Sequence, residues 1–206
     1  LDSEMTVVRN EFERSENNAQ RVLRDRVRAA ALPWHNYGRS VIGIKADIEL
    51  VPIDNLKAFY KRYYQPDNAV LVVAGRFDEG KAFKAIADSF GKIPKPARVL
   101  PTTFTREPVQ DGERAVTVRR VGGVPSLGVA WRIPGSTDPD YPALMVLQGV
   151  LGDEPQGRLH QALVDGKKAA IARCDLDDLK EPGLFSCDVV LKPGENVAAA
   201  RDAMLA

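Results

Sequence analysis

Apolar residues in the first thirty positions recur at three- and four-residue steps, the period of one helix face. This pattern predicts a single long helix that runs to about Ala31, ahead of the helix-breaking Pro33, with Asp2 or Ser3 able to cap its start. Similar spacing predicts further helices at about residues 52–63, 79–90, 141–151 and 158–164, and one starting at Asn196.

Apolar runs between turn residues predict strands at residues 69–74, 115–121, 126–133, 169–175 and 184–191. The second and third of these are expected to pair around Gly122-Gly123, and the last two form a predicted hairpin around residues 180–183. Helices and antiparallel strands thus fall in segregated groups, and strict strand–helix alternation is missing. The pattern predicts an α+β fold with antiparallel sheets backed by helices.

Residues 95–112 are rich in proline, threonine and charge and lack periodicity, which indicates a linker. The order of elements changes there from helix-first to strand-first. We therefore predict two units, residues 1–108 and residues 109–206.

Charge and length exclude some classes of partner. The 206 residues carry 29 basic and 28 acidic side chains, and no long block of one sign persists, which disfavours nucleic acid or an anionic membrane as a partner. No apolar run approaches the roughly 20 residues that span a bilayer. Cys174 and Cys187 are expected to be buried free thiols, although a cross-strand disulfide is open to them in an oxidising compartment. The compartment itself is left open between bacterial periplasm and cytoplasm.

Glu4 and Glu11 are the most informative acidic residues, because seven residues place them nearly in line, two turns apart on the first helix. Both fall at the margin of the apolar stripe, beside Val8. A carboxylate there needs a cation, hydrogen-bond donors or a metal. Spacing alone favours the simpler interpretation, an exposed acid near a helix start.

Three segments carry a family resemblance: residues 1–11, which hold two glutamates seven positions apart, and residues 66–75 and 151–159. Together they resemble the pitrilysin/insulinase family of zinc metallopeptidases, the inverzincins. Residues 1–11 resemble the family's helix with two glutamates seven positions apart, and 66–75 and 151–159 resemble two later family segments. The resemblance implies the metallopeptidase fold of the pitrilysin and mitochondrial processing peptidase type. It further implies that residues 1–108 are the C-terminal part of a first peptidase-like domain and that 109–206 begin a second, homologous one.

The resemblance also implies a zinc site. It assigns Glu11 as the third zinc ligand and Glu4 as a nearby supporting residue. The family's His-x-x-Glu-His helix, with the other ligands and the general base, is absent from this sequence and is expected upstream in a longer parent protein. The chain is thus expected to be an internal fragment, inactive alone and unable to retain zinc. Its expected partners are a peptide or unfolded protein substrate and other domains of the parent or a homologous subunit.

The two histidines of the sequence, His35 and His160, do not fit the family's metal pattern. His35 and Tyr37 lie in a segment similar to a family loop, where a structural role is expected, and His160 is expected to be surface or core filler. The same family includes non-catalytic scaffold subunits, which remain the alternative function. A cluster of Asp175, Asp177 and Asp178 is expected to be a solvated hairpin end.

Overall fold

The computed structural model describes residues 2–102 and 104–206, with side chains from Ser3 onward, and it has the α+β class. The side chain of Asp2, one of the two predicted caps, and the linker position Thr103 lie outside the described parts. The helices are α1 (Asp2–Glu16), α2 (Ala19–Ala31), α3 (Lys45–Leu50), α4 (Ile53–Tyr63), α5 (Glu79–Ser89), α6 (Tyr141–Gly152) and α7 (Val197–Leu205). The strands are β1 (Ser126–Ile133), β2 (Ala169–Leu176) and β3 (Gly183–Leu191), and a π-helix (His160–Asp165) precedes β2.

The chain divides into two compact units. Unit 1 combines Leu1–Lys45 with Thr105–Ala206, and unit 2 is Ala46–Phe104. The predicted boundary at residue 108 separates two domains of homologous sequence. Compact units within this chain do not test whether its two parts are homologous. The boundary therefore stays a prediction.

Unit 1 is built on a three-stranded antiparallel sheet with strand order β1-β3-β2. Burial alternates along most of the central strand β3, where Cys187, Val189 and Leu191 are buried and the residues between them are half-exposed. Such alternation is the period of a strand with one face on a core. Helix α6 covers β2, and α2 contacts β1.

The predicted hairpin of β2 and β3 is confirmed, and it brings Cys174 directly opposite Cys187. The two residues form a disulfide with a Cα–Cα distance of 4.0 Å, so the expectation of free thiols is wrong. Spacing along the sequence could not decide this, because only the strand register determines whether two cysteines face each other. The bond joins the central strand to an edge strand inside the core of unit 1.

Removing this disulfide should lower stability by about 2–4 kcal/mol, because the closed loop restricts the unfolded chain. The variant is Cys174→Ala/Cys187→Ala, measured by chemical denaturation. Reductant should lower the melting temperature of the wild type and leave that of the double variant unchanged. Equal stability of both proteins under oxidising conditions would contradict a contribution from this bond.

The predicted long first helix is interrupted at Asn17-Asn18 and forms α1 and α2. Asn18 is the N-cap of α2, and its side-chain oxygen accepts a hydrogen bond of 2.9 Å from the Arg21 N–H. An Asn side chain competes with continuous helix by bonding the backbone three residues on, while apolar periodicity carries no information about such a break.

Two predicted strands do not form ladders. Residues 69–74 and 115–121 have no strand pairing among the described residues, although β1 forms where predicted. The expected hairpin around Gly122-Gly123 is thus wrong. A strand exists only where a neighbour accepts its hydrogen bonds, and local apolar pattern cannot supply that neighbour.

Unit 2 carries α4 and α5, which match their predicted spans to within one residue. Aromatic side chains contact one another at the end of α4. The rings of Phe59 and Tyr63 are tilted with centroids 4.6 Å apart, and those of Tyr60 and Tyr64, the residue after the helix, are stacked 5.0 Å apart. These rings remain largely exposed except at Tyr63.

Candidate metal-ligand helix and its supporting contacts

Helix α1 presents both candidate carboxylates to solvent. Glu4 and Glu11 are exposed, and neither takes part in an ion pair among residues 2–102 and 104–206. Met5, Val8 and Phe12 are half-buried on the same helix. The two carboxylates are therefore available to a cation or to donors, and their functional roles stay predictions.

The C-terminal end of α1 is held by charged side chains. Arg120 donates to the Glu16 carbonyl and lies 3.5 Å from the Glu16 carboxylate. Lys45 lies 3.8 Å from Glu13, and the Ser15 hydroxyl donates to the Glu11 carbonyl at 2.9 Å. The contacts of Arg120 and Ser15 fix the end of the helix that adjoins α2, close to the turn that carries Glu11.

Helix α2 connects this end to the sheet. Val22 is buried, and Arg28 donates to Asp177 at 2.6 Å. The second carboxylate oxygen of Asp177 accepts the Leu184 N–H at 2.9 Å. Asp177 is thus a structural acceptor between α2 and the β2–β3 turn, which corrects the expectation that the whole aspartate cluster is a solvated hairpin end.

The negative charge of the Asp188 carboxylate, on β3, is only partly compensated by neighbouring groups. Its Oδ2 has no hydrogen-bond partner in the described chain and lies 3.8 Å from Arg24 Nε. Burial raises the pKa of the Asp188 carboxyl, an effect opposed by the nearby Arg24 and Arg173 guanidinium groups. The ionised form is therefore less favourable in the folded chain than in the unfolded chain.

Asp188→Asn should show a pH-dependent change in stability. Because the folded pKa lies above the unfolded one, the wild type loses stability as pH rises from the unfolded pKa to the folded pKa, whereas Asn does not titrate. The free energy of unfolding of the variant, relative to the wild type, should thus rise from about pH 4 and level off above the folded pKa. Urea denaturation across that range measures it, and a difference that falls with pH would contradict the raised pKa.

The loop after α2 is closed by His35. Its Nδ1 accepts the Tyr37 N–H at 3.2 Å, so Nε2 carries the proton and donates to Glu181 at 2.8 Å. The rings of His35 and Tyr37 meet edge to face at 4.4 Å. Both ring nitrogens have structural partners, and the side chain is only 8% exposed, so nothing in this geometry leaves a nitrogen open for a metal.

Glu107 and Arg132 fasten the same loop to the sheet. One Glu107 oxygen accepts the N–H groups of Trp34 and His35 at 2.7 and 2.6 Å. Arg132 donates to the Ala31 carbonyl at 2.8 Å and the Pro108 carbonyl at 2.6 Å, and it lies 3.4 Å from Glu107. These contacts hold the C-terminal end of α2 against β1.

His160 lies in the π-helix with its side chain 13% exposed. Its Nδ1 is buried without a hydrogen-bond partner, and the carboxylates of Glu154 and Asp165 stand 3.8 and 3.7 Å from its ring nitrogens. These distances exceed hydrogen bonds. The histidine sits far along the chain from Glu11 and from His35, and none of the contacts described above involves it.

The described residues do not form a complete metal site. No group of three or more His, Cys, Asp or Glu side chains able to hold a metal is found in residues 2–102 and 104–206. A catalytic zinc takes three protein ligands and a water. The exposed, unpaired carboxylate of Glu11 fits one carboxylate donor of such a set and no more. Across the same residues, no helix has both the length and the apolar character needed to cross a membrane.

Sequence reasoning missed the residues that hold the site in place. Asp188, Glu107 and Glu181 act through partners 25 to 164 positions away along the chain. No local spacing signals such contacts. Acidic residues near predicted turns and strand ends were the only hint available.

The sequence of this chain is similar to members of a peptidase family. Residues 51–206 match the family model described as the peptidase M16 inactive domain. A zinc protease, PqqE, from Helicobacter pylori is 30% identical over 159 residues, which cover 76% of this chain and 36% of that protein. The β subunit of the mitochondrial processing peptidase from Blastocladiella emersonii is 28% identical over 167 residues, or 78% of this chain and 34% of the relative.

Similarity in structure extends over almost the whole chain. The crystal structure of a protease from Helicobacter pylori superposes with a TM-score of 0.92 at 27% identity, covering 98% of this chain and 50% of that one. The chain thus spans about half the length of that solved protein and about a third of the curated relatives.

Proposed function

We propose, since this chain belongs to the peptidase M16 family, that its parent protein is a zinc-dependent endopeptidase to which Glu11 supplies one metal ligand. The observation that supports the assignment is the exposed carboxylate of Glu11, unpaired in the described chain, on a helix whose C-terminal end is held by Arg120. The proposed substrates are peptides or unfolded proteins.

In this proposal, the chain holds the Glu11 carboxylate in position and supplies negative charge to the metal site. Arg120 holds the end of α1 through Glu16, so the Glu11 carboxylate can be presented without rearranging its own helix. Glu4, two turns away, would orient a neighbouring ligand or adjust the charge of the site. Zinc, when bound in the parent, would activate a water and polarise the scissile carbonyl.

Residues 109–206 are proposed to form part of the wall of the substrate chamber. Their sheet and helices are held to α2 through Arg28, Arg132 and the Glu107 contacts. A metal-free scaffold is the alternative function, because the matched family model is the inactive domain. The exposed carboxylates of Glu4 and Glu11 favour the enzyme, since a scaffold has no need of both.

The isolated 206-residue chain should neither hydrolyse peptides nor retain stoichiometric zinc, because one carboxylate cannot replace three ligands. The measurement is hydrolysis of a quenched fluorogenic peptide together with metal analysis. Turnover by the pure chain that a chelator abolishes and zinc restores would overturn this expectation.

Measurements on the complete parent distinguish the zinc endopeptidase from the metal-free scaffold. An endopeptidase should contain about one zinc per chain, carry His-x-x-Glu-His upstream of Glu11, and lose turnover with chelator. A parent without zinc and without turnover, yet folded, would instead support the scaffold.

A further inference from the structure

The disulfide between Cys174 and Cys187 lies deep in unit 1. Cys174 is 5% exposed and Cys187 is 1% exposed, and both belong to the buried core. Helix α6 lies directly against β2 at this point, where the Gln148 side chain donates to the Cys174 carbonyl at 3.1 Å. A Cβ at Gly152, the last residue of α6, would stand 2.5 Å from the Cys174 nitrogen and 2.9 Å from its Cβ. In the folded chain, α6 therefore shields the bond from reagents in solution.

The two cysteines can meet before α6 is in place. They are 13 residues apart, and the register of the β2–β3 hairpin alone sets them opposite each other. At the turn, the Asp177 N–H donates to the Leu184 carbonyl at 3.0 Å, and the Leu184 N–H donates to the Asp177 side chain at 2.9 Å. These contacts lie within the hairpin. Because hairpins form in about 1–10 μs, β2 and β3 bring the two sulfurs together while the rest of unit 1 is still open.

Oxidation of this pair needs an electron acceptor from outside residues 1–206. Converting two thiols to a disulfide releases two electrons and two protons. The sequence contains only these two cysteines, so it holds no third sulfur that could exchange with them. A disulfide carried by a second molecule exchanges with thiols directly. Such an acceptor persists in oxidising compartments, whereas the cytosol keeps thiols reduced.

We propose that Cys174 and Cys187 are the modification site of a thiol–disulfide oxidoreductase, which acts on the parent protein in an oxidising compartment before α6 packs on β2. One cysteine, as a thiolate, attacks the disulfide of the oxidoreductase, forms a mixed disulfide and releases one enzyme thiolate. The thiolate of the other cysteine then attacks the chain's own sulfur in that mixed disulfide, which completes the bond and releases the second enzyme thiolate. The two electrons end in the reduced oxidoreductase, whose thiolates take up the two protons.

The proposal decides between the two compartments that the sequence leaves open. The bacterial periplasm supplies this chemistry and the cytoplasm does not. In the cytoplasm, the open hairpin would keep both thiols, and α6 would then bury them in the reduced form. The site is independent of the role of Glu11, because the same bond would form in an endopeptidase and in a scaffold.

The state of the two cysteines in the complete parent, taken from the cells that make it, tests the site. Trypsin cuts after Arg173 and Lys180, so Cys174 and Cys187 fall in separate peptides. Cells are quenched with acid, free thiols are alkylated, and the parent is digested without reductant for mass spectrometry. The two peptides should be found joined. Two separate, alkylated peptides would overturn the proposal, as would joined peptides from a cytoplasmic parent or from cells without periplasmic thiol–disulfide oxidoreductases.

The access of a reductant tests whether oxidation precedes the packing of α6. Dithiothreitol should reduce the bond at least about 100-fold more slowly in the folded parent than in the urea-unfolded chain, and equal rates would overturn the proposed order. Gly152→Ala should speed reduction of the folded parent about 10-fold, because its methyl group displaces the end of α6 from Cys174. Gly149→Ala, three residues earlier, meets only the Asp153 side chain and should behave like wild type.

Reduction of folded Gly152→Ala at the wild-type rate would show that α6 is not the shield and would equally overturn the order. If Gly152→Ala does not fold, the comparison of folded and unfolded wild type still decides the question.

Discussion

Glu11→Gln in the complete parent should reduce zinc content and peptide turnover together by orders of magnitude. Glutamine keeps the size and hydrogen-bonding capacity of the side chain but removes the negative charge that binds a divalent cation. Glu4→Gln should have a smaller effect, about 10–100-fold, which is typical of a residue that supports a ligand. Metal analysis, turnover of a fluorogenic peptide and thermal melting are measured on the same preparations.

Glu13→Gln on the same helix is the matched control. Glu13 is exposed and lies 3.8 Å from Lys45, so its loss should leave zinc content and turnover near wild type. All three variants should fold, since exposed substitutions usually change stability by less than about 0.5 kcal/mol. Full zinc and near-normal turnover in Glu11→Gln would mean that Glu11 is only a helix-surface acid. If all three variants instead lost their fold, no effect would be specific to a metal ligand, and the assignment would equally be refuted.

Gly38→Ala should lower stability more than any other substitution that adds one methyl group to the loop closed by His35. A Cβ at this position would lie 1.8 Å from the Leu32 carbonyl oxygen and 2.8 Å from its carbon, both of them backbone atoms. The backbone there cannot shift freely, because Glu107 and Arg132 hold both sides of the loop. We expect a loss of about 3 kcal/mol in the free energy of unfolding, at the upper end for overpacking.

Gly112→Ala provides the control for added side-chain volume. A Cβ at Gly112 meets nothing within 4 Å, and the residue is exposed. Its stability should stay within about 0.5 kcal/mol of wild type. Chemical denaturation of both variants gives the comparison, and equal stability of the two would show that the loop at Gly38 moves aside.

Local pattern predicted the elements whose determinants are local. Helices α4, α5 and α6 and the β2–β3 hairpin appear within one or two residues of their predicted bounds. The short helix α3 was missed, since six residues hold less than two turns of periodicity. The unpaired segments at 69–74 and 115–121 show the limit of the approach, because strand formation depends on a neighbour that a local window does not contain.

For the candidate site too, local features could be predicted from the sequence and long-range contacts could not. The seven-residue spacing of Glu4 and Glu11 placed both on one helix, but only resemblance to a family singled out Glu11 as a metal ligand. The contacts that hold that helix and the following loop, such as Arg120 with Glu16 and Glu107 with Trp34, join residues 104 and 73 positions apart. Their partners are chosen by the folded arrangement and leave no local signature.

Unit 1 is made of two segments that are separated in the sequence by unit 2, and this has a consequence for how the chain folds as it is synthesised. Helix α2 is translated well before β1, which it contacts, and before Asp177 of the β2–β3 turn, to which Arg28 donates across a separation of 149 residues. At about 5–20 residues per second, the apolar side of α2 waits on the order of ten seconds for its sheet. Unit 2 leaves the ribosome in that interval, so a chaperone that shields α2 during elongation would act before the core of unit 1 can close.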